Sequence, residues 1–221
     1  MSLKLLIANK NYSSWSVRPM LVLDHFQIPY ELVRGRLKSA HVTNEIATEF
    51  IDDWSRAGKV PVLRDGDLTV WESLAIIEYL ADRFPAKQIW PADAGERALA
   101  RAVSAEMHAG FTPLRGEMPM NVRRRYENFR YSADAAADIA RVQQLWADCL
   151  ARSGGPFLFG AFCAADAMFA PVISRFRTYG IELDAVSAAY ADAVWSLPAI
   201  KAWLADAAAE QTIIETYEFN P

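Results

Sequence analysis

Lys59-Val60-Pro61-Val62-Leu63, followed by Asp65-Gly66 and then by Trp71-Glu72-Ser73, is the stretch on which the reading of this chain turns. A short apolar run holds a proline, a tight turn leads into a second short run, and an acid and a hydroxyl open a helix. Proline cannot donate to a sheet ladder, so Pro61 marks an edge, a bulge or a cis peptide bond. In the cis geometry the backbone of Val60 turns outward, and its N–H and C=O can pair with an extended peptide ligand. Ser73 and the first amides of the following helix suit a carboxylate, and Glu72 beside them suits an ammonium group. The same two residues also make an ordinary helix start; Pro61 just upstream is what gives them meaning. Together they point to a peptide-like, anionic small molecule.

Outward from this stretch, the first 84 residues alternate in type. Residues 3–8 read as a strand and 15–26 as a helix with Val17, Met20, Leu21 and Leu23 apolar. Residues 30–33 read as a second strand and 43–51 as a short helix. Residues 60–63 and 68–70 form a hairpin around Asp65-Gly66, and 73–84 a helix with Ile76, Ile77, Leu80, Ala81 and Phe84 on one face. This β-α-β-α-β-β-α order predicts a small mixed sheet covered by helices: a crossover first, hence a parallel pair, then an antiparallel hairpin.

Composition changes at Pro85. Residues 85–93 carry two prolines and Trp90 and read as a linker; from 94 to 221 every clear period is helical. One stripe contains Ile139, Val142, Leu145, Trp146, Cys149 and Leu150, a second Met168, Phe169, Val172, Ile173 and Phe176, and a third, opened by Pro198, Ile200, Trp203 and Leu204. The expectation is an α/β domain over 1–84 joined to an all-α domain over 94–221.

The chain has 221 residues, 52% hydrophobic, with a net charge of −4. That supports a full core and argues against nucleic acid or an anionic membrane as the main partner. The one basic run, Arg123-Arg124-Arg125, reads as a solvated helix end. The opening apolar run is too short for a signal-peptide core, and the longest uncharged stretch holds glycines and a proline; a cytoplasmic location is expected. Cys149 and Cys163 are far apart and His25, His41 and His108 share no ligand spacing, so neither a disulfide framework nor a metal is expected.

Residues 9–16, Asn-Lys-Asn-Tyr-Ser-Ser-Trp-Ser, join the first strand to the first helix, at the strand's carboxyl end where ligands of open α/β sheets bind. Ser13 or Ser14 lies at the helix N-terminus, where amides and dipole favour an anion; a plain helix cap is the competing reading.

Three stretches carry a family resemblance: Tyr12-Ser13-Ser14-Trp15-Ser16-Val17-Arg18-Pro19, Gly58-Lys59-Val60-Pro61-Val62-Leu63, and Trp71-Glu72-Ser73-Leu74-Ala75-Ile76-Ile77-Glu78-Tyr79-Leu80. With them, the chain resembles a cytosolic glutathione transferase of the bacterial theta/zeta-like serine type. Phe157-Leu158-Phe159-Gly160 followed by Ala165-Asp166-Ala167 resembles that family's folding-nucleus helix. There are two departures: Cys163 stands where a serine or threonine usually caps that helix, and Arg56 where relatives often have proline.

The resemblance implies a thioredoxin-like N-terminal domain that binds glutathione, a helical C-terminal domain that lines an electrophile pocket, and a homodimer. It implies Pro61 as the cis-proline, Val60 as backbone partner of the tripeptide, Glu72 and Ser73 at its γ-glutamyl end, and Lys59 near its other carboxylate. The hydroxyl that activates the thiol is Ser14 when spaced from Arg18 as in theta-like members, Ser13 when matched to the zeta-type pattern, or Tyr12 as in other classes. Tyr12, Met107, His108 and Phe111 are expected at the pocket for a small hydrophobic electrophile, with Met107, His108, Phe111, Leu114, Met118 and Met120 all on one long helix. The expected reaction is transfer to glutathione. Glutathione-dependent isomerisation of a maleyl-type diketo acid, with Arg115 as a source of positive charge, and a non-catalytic scaffold using the same fold are the alternatives.

Overall fold

The computed structural model describes residues 2–35, 54 and 58–218. The short helix expected over 43–51, and Arg56, lie outside the described residues. Four strands form one mixed sheet: β1 (Leu3–Ile7), β2 (Tyr30–Arg34), β3 (Val62–Asp65) and β4 (Leu68–Trp71), in the order β2-β1-β3-β4. β1 runs parallel to β2 and antiparallel to β3, and β3 turns into β4 through an antiparallel hairpin with Asp65 opposite Leu68. β1 is central because Leu5, Leu6 and Ile7 are all buried, on both faces of the pleat. β4 is one of the two edges and leaves Leu68 and Trp71 exposed, at 48% and 52%.

Helix α1 (Ser14–His25) returns the chain from β1 to the parallel β2. It is buried along most of its length, packed on α2 (Ser73–Arg83), on α6 (Ala164–Thr178) and on α8 (Pro198–Ala209). α2 buries Ile76, Ile77 and Leu80, the face that its period predicts. After a 3-10 turn at Pro85–Lys87 the chain is helical: α3 (Ala94–Ala109), α4 (Thr112–Glu117), α5 (Ala133–Ser153), α6, α7 (Ala185–Trp195) and α8. One apolar core runs unbroken from Leu3 of the sheet to Trp203 of α8. This is a thioredoxin-like N-terminal part with a helical C-terminal part.

The single long helix expected around Met107–Met120 is instead two. Gly110 interrupts it, and a Cβ there would lie 2.8 Å from the Glu106 carbonyl oxygen. Phe111 follows in the left-handed region at φ 58° and starts α4, with Pro113 in its first turn. The break folds α4 back, so that Arg115 Nη1 donates to the carbonyls of His108 (3.2 Å) and Gly110 (3.0 Å).

α6 is enclosed on all sides and holds a fully buried carboxylate, Asp166. Asp166 accepts from the backbone N–H of Cys163 (2.8 Å) and of Leu158 (3.1 Å), tying the loop before the helix to its first turn. The capping box expected of a serine or threonine thus forms with Cys163 in that place. Burial raises the Asp166 carboxyl to about 6.

Candidate active site

The loop from β1 to α1 separates two serines that the sequence presents as equals. Ser13 is the N-cap: its Oγ accepts from the Ser16 N–H (3.4 Å) and lies 2.8 Å from Ser16 Oγ, which itself accepts from the Ala8 N–H (3.2 Å). Ser14, one residue on, is the first residue of the helix and faces a cavity of about 230 Å³. Its Oγ accepts from Arg175 Nη2 at 3.3 Å, which leaves its own proton for another acceptor.

That cavity is walled by Tyr12, Ser14 and Trp15 from the first loop and helix, Arg115 from α4, Arg175 from α6 and Tyr217 from the C-terminal segment. Its electrostatics are one-sided. Arg175 is 4% exposed and Arg18, just behind Trp15, 1%. Arg18 and Arg115 pack on the Trp15 ring, their guanidinium carbons 4.3 and 4.6 Å from its centroid. Burial, with Arg115 beside it, pushes Arg175 down to about 10; burial, then Arg175 and Arg115, hold Arg18 well below the usual guanidinium range. Such a corner stabilises an anion, a thiolate included.

Val60–Pro61 is cis and both residues are buried, while Lys59 beside them is exposed. Glu72 is the residue before α2 and sits at φ 69°, a conformation a side-chain-bearing residue rarely adopts and that costs of order 1–3 kcal/mol. Ser73, the first residue of α2, is fully buried, and its Oγ has no hydrogen-bond partner. An orphaned hydroxyl beside a strained acid at a helix N-terminus is what a ligand carboxylate and ammonium would complete. His108 connects the two regions: its Nε2 is 3.6 Å from Glu72 Oε2, and its ring meets Trp15 edge-on at 5.0 Å.

A family model for the glutathione S-transferase N-terminal domain matches residues 12–83. A probable maleylacetoacetate isomerase of Caenorhabditis elegans is 35% identical over 101 residues, 46% of this chain and 44% of that protein. Glutathione S-transferase 1 of Dianthus caryophyllus is 32% identical over 108 residues, 49% of this chain and 46% of that one. These alignments span about half the length of the curated relatives. Among solved structures, the theta class glutathione S-transferase of Xanthomonas axonopodis pv. citri, with glutathione bound, has a TM-score of 0.64 at 25% identity, over 92% of this chain and 97% of that one. A glutathione transferase homolog from Burkholderia, also with bound glutathione, shares the fold with a TM-score of 0.71 at 24% identity, over 94% and 98% of the two chains. Residues 12–83 thus match the glutathione S-transferase N-terminal domain, and the chain as a whole has the glutathione transferase fold.

The third candidate hydroxyl, Tyr12, lines the cavity but is already engaged. It donates to Glu218 Oε1 (2.6 Å) and accepts from Arg123 Nη2 (2.9 Å) and the Ile214 N–H (3.3 Å). Burial, then the Glu218 bond, raises its phenol. Of the other pocket residues expected, Met107 and Phe111 are in the core rather than on the cavity wall. His108 lies behind Trp15, and Met120 does line the cavity.

Three features escape a reading of the sequence. The run Arg123-Arg124-Arg125 is not a solvated helix end but the anchor of the C-terminal segment. Arg123 donates to the carbonyls of Glu210 and of Thr212 (2.8 Å), and Arg124 pairs with Glu218. Glu210 in turn accepts from the backbone N–H groups of Lys10 (2.8 Å) and Asn11 (3.1 Å), so the chain's end is strapped onto the first loop and brings Tyr217 to the cavity. Arg175 carries no sequence signal beyond its place on an apolar helix. Gly110 and Pro113, a glycine and a proline three residues apart, are the signal that could have located the helix break.

Proposed function

We propose that this chain is a glutathione transferase that binds glutathione on residues 1–84 and activates its thiol, with Ser14 donating a hydrogen bond to the sulfur, for attack on a small electrophile held against residues 94–221. One observation carries the choice of Ser14: Ser13 is consumed as the helix cap, whereas Ser14 faces the cavity, accepts from Arg175 and keeps its proton to donate. A free thiol with a pKa of about 8.5 is only a few per cent thiolate at neutral pH. The hydroxyl, the helix N-terminus and the neighbouring guanidiniums all favour the anion, at about 1.36 kcal/mol per unit of depression. Sulfur then attacks carbon, the leaving group departs with its electron pair, and the thiol proton passes to solvent. Glu72 and Ser73 hold the γ-glutamyl end, the Val60 backbone beside Pro61 pairs with the tripeptide, and Lys59 faces the remaining carboxylate. A homodimer, covering the exposed Leu68 and Trp71, belongs to the same reading.

Calorimetric titration with glutathione tests the binding half. Intact protein binds, and Ser73→Ala and Glu72→Ala each weaken binding by about 10- to 100-fold, the loss of one hydrogen bond or ion pair to a charged group. Absence of binding by the intact protein sinks the transferase reading in favour of a scaffold. Tyr12→Phe tests the assignment of the hydroxyl. Because Tyr12 holds the C-terminal strap, the variant loses about 1 kcal/mol of stability in a thermal melt and keeps turnover within about fivefold. A fall in turnover as deep as that of Ser14→Ala would transfer the role to Tyr12.

A further inference from the structure

We propose that His108 is a positioning residue of the glutathione site, not a wall of the electrophile pocket: neutral, with its proton on Nε2, it steadies the Glu72 carboxylate for the tripeptide's ammonium. This deepens the glutathione reading above and rests on it. The two ring nitrogens have opposite surroundings. Nδ1 is buried and, among the described residues, has no hydrogen-bond partner. Nε2 lies 3.6 Å from Glu72 Oε2. A proton on Nδ1 would make a buried N–H with no acceptor, which is costly. A proton on Nε2 points at a carboxylate. The neutral Nε2–H tautomer is the one this setting selects.

Charged groups reach the ring from three elements: Arg18 of α1, Glu72 ahead of α2, and Arg115 of α4. Burial opposes a second proton most strongly, then Arg18; Glu72 favours it and Arg115 again opposes it, so the ring is held below its ordinary range. The ring is also fixed in place. It meets Trp15 edge-on, and Arg115 ties down the His108 carbonyl. Glu72 is exposed, and His108 is the one side chain that faces its carboxylate among the described residues. A separation of 3.6 Å is longer than a hydrogen bond. Polar contacts of a site are often long in the free protein and tighten when the ligand arrives. A neutral donor orients the carboxylate without cancelling its charge, whereas an imidazolium would compete with the ligand's ammonium for it.

Calorimetric titration with two probes tests this: S-methylglutathione, which has no thiol to ionise, and S-methylated glutaryl-cysteinylglycine, which differs from it only in lacking the ammonium. His108→Phe keeps a ring against Trp15 and loses the donor. It binds S-methylglutathione about fivefold more weakly than the intact protein does, the loss of one hydrogen bond, and binds the deamino probe within about twofold. His108→Gln keeps a neutral N–H and recovers most of the loss. Equal weakening of both probes in His108→Phe leaves His108 a structural part only, and unchanged binding of S-methylglutathione removes it from the site; either overturns the inference. Between pH 7 and pH 5.5 the intact protein holds S-methylglutathione with an affinity constant to within about twofold, since a neutral ring does not compete for Glu72. A fall of about fivefold or more over that interval, absent from His108→Gln, shows an imidazolium paired with Glu72 and overturns the neutral assignment. Thermal melts establish that the variants fold; if His108→Phe does not, the pH titration of the intact protein and His108→Gln decides alone. Failure of the intact protein to bind glutathione removes both readings, and shows in the same calorimeter before any variant is compared.

Discussion

Ser14→Ala is expected to lower turnover by about 10²-fold, the effect of deleting one hydrogen-bond donor aimed at a developing charge, while glutathione affinity stays within a few-fold. The split follows from position. Ser14 lines the cavity beside Arg175, whereas Glu72 and Ser73 do not line it; on the proposed reading Ser14 meets the sulfur and the other two hold one end of the tripeptide. The loss is not total because the guanidiniums of Arg175 and Arg115 and the helix N-terminus remain in place and still favour the thiolate. Ser13→Ala is the internal contrast. It removes a helix cap, costing about 1 kcal/mol of stability, and lowers turnover much less. Steady-state kinetics and glutathione titration of the two variants check the pair. Unchanged turnover in Ser14→Ala removes that residue from the role.

The largest expected effect on stability is at Asp166. Asp166→Ala leaves the buried N–H groups of Leu158 and Cys163 without an acceptor. Each orphaned group costs about 1–3 kcal/mol, part of which is offset by relief of the carboxylate's own desolvation, for a net loss of about 2–4 kcal/mol. For a chain of this size that lowers the melting temperature by roughly 5–15 °C. Asp166→Asn keeps one acceptor oxygen and loses about half as much. The pH dependence has an unusual sign. Burial raises the folded pKa to about 6 from 3.8, so between those values the folded protein binds the proton that the unfolded chain does not. The contribution of Asp166 to stability is therefore full below about 3.8 and is lost as pH rises through 6. Between pH 7 and pH 5 the native protein gains about 1 kcal/mol relative to Asp166→Asn. Melting curves of both proteins at the two pH values check it; a gap that does not change places the Asp166 pKa near that of an ordinary carboxyl.

Most of the sheet and the helical stripes could be read from the sequence, because they rest on local periodicity and punctuation. Pro61 between short apolar runs, Asp65-Gly66 between strands, and the stripe from Ile139 to Cys149 each specify their element within a few residues. The site was half legible for the same reason: the Glu72-Ser73 and Ser13-Ser14 pairs announce helix starts. What the sequence could not express is non-local. Met107, Phe111, Leu114 and Met118 keep a helical period straight across Gly110, so periodicity hides a break imposed by backbone sterics and a left-handed Phe111. Ser13 and Ser14 differ only in helix register, which makes one a cap and turns the other to the cavity. Arg18, Arg115 and Arg175 are far apart in the chain and converge only through the packing of α1, α4 and α6 around Trp15. Arg123 and Arg124 look solvated until the C-terminal segment arrives to meet them.

The most direct test of the central claim is a pH titration of the thiolate absorbance of glutathione bound to the intact protein and to Ser14→Ala. The bound thiol is expected to ionise clearly below the free value of about 8.5, with part of that depression lost in Ser14→Ala and the remainder kept by the arginines. A bound thiol that titrates at the free value in the intact protein would contradict it.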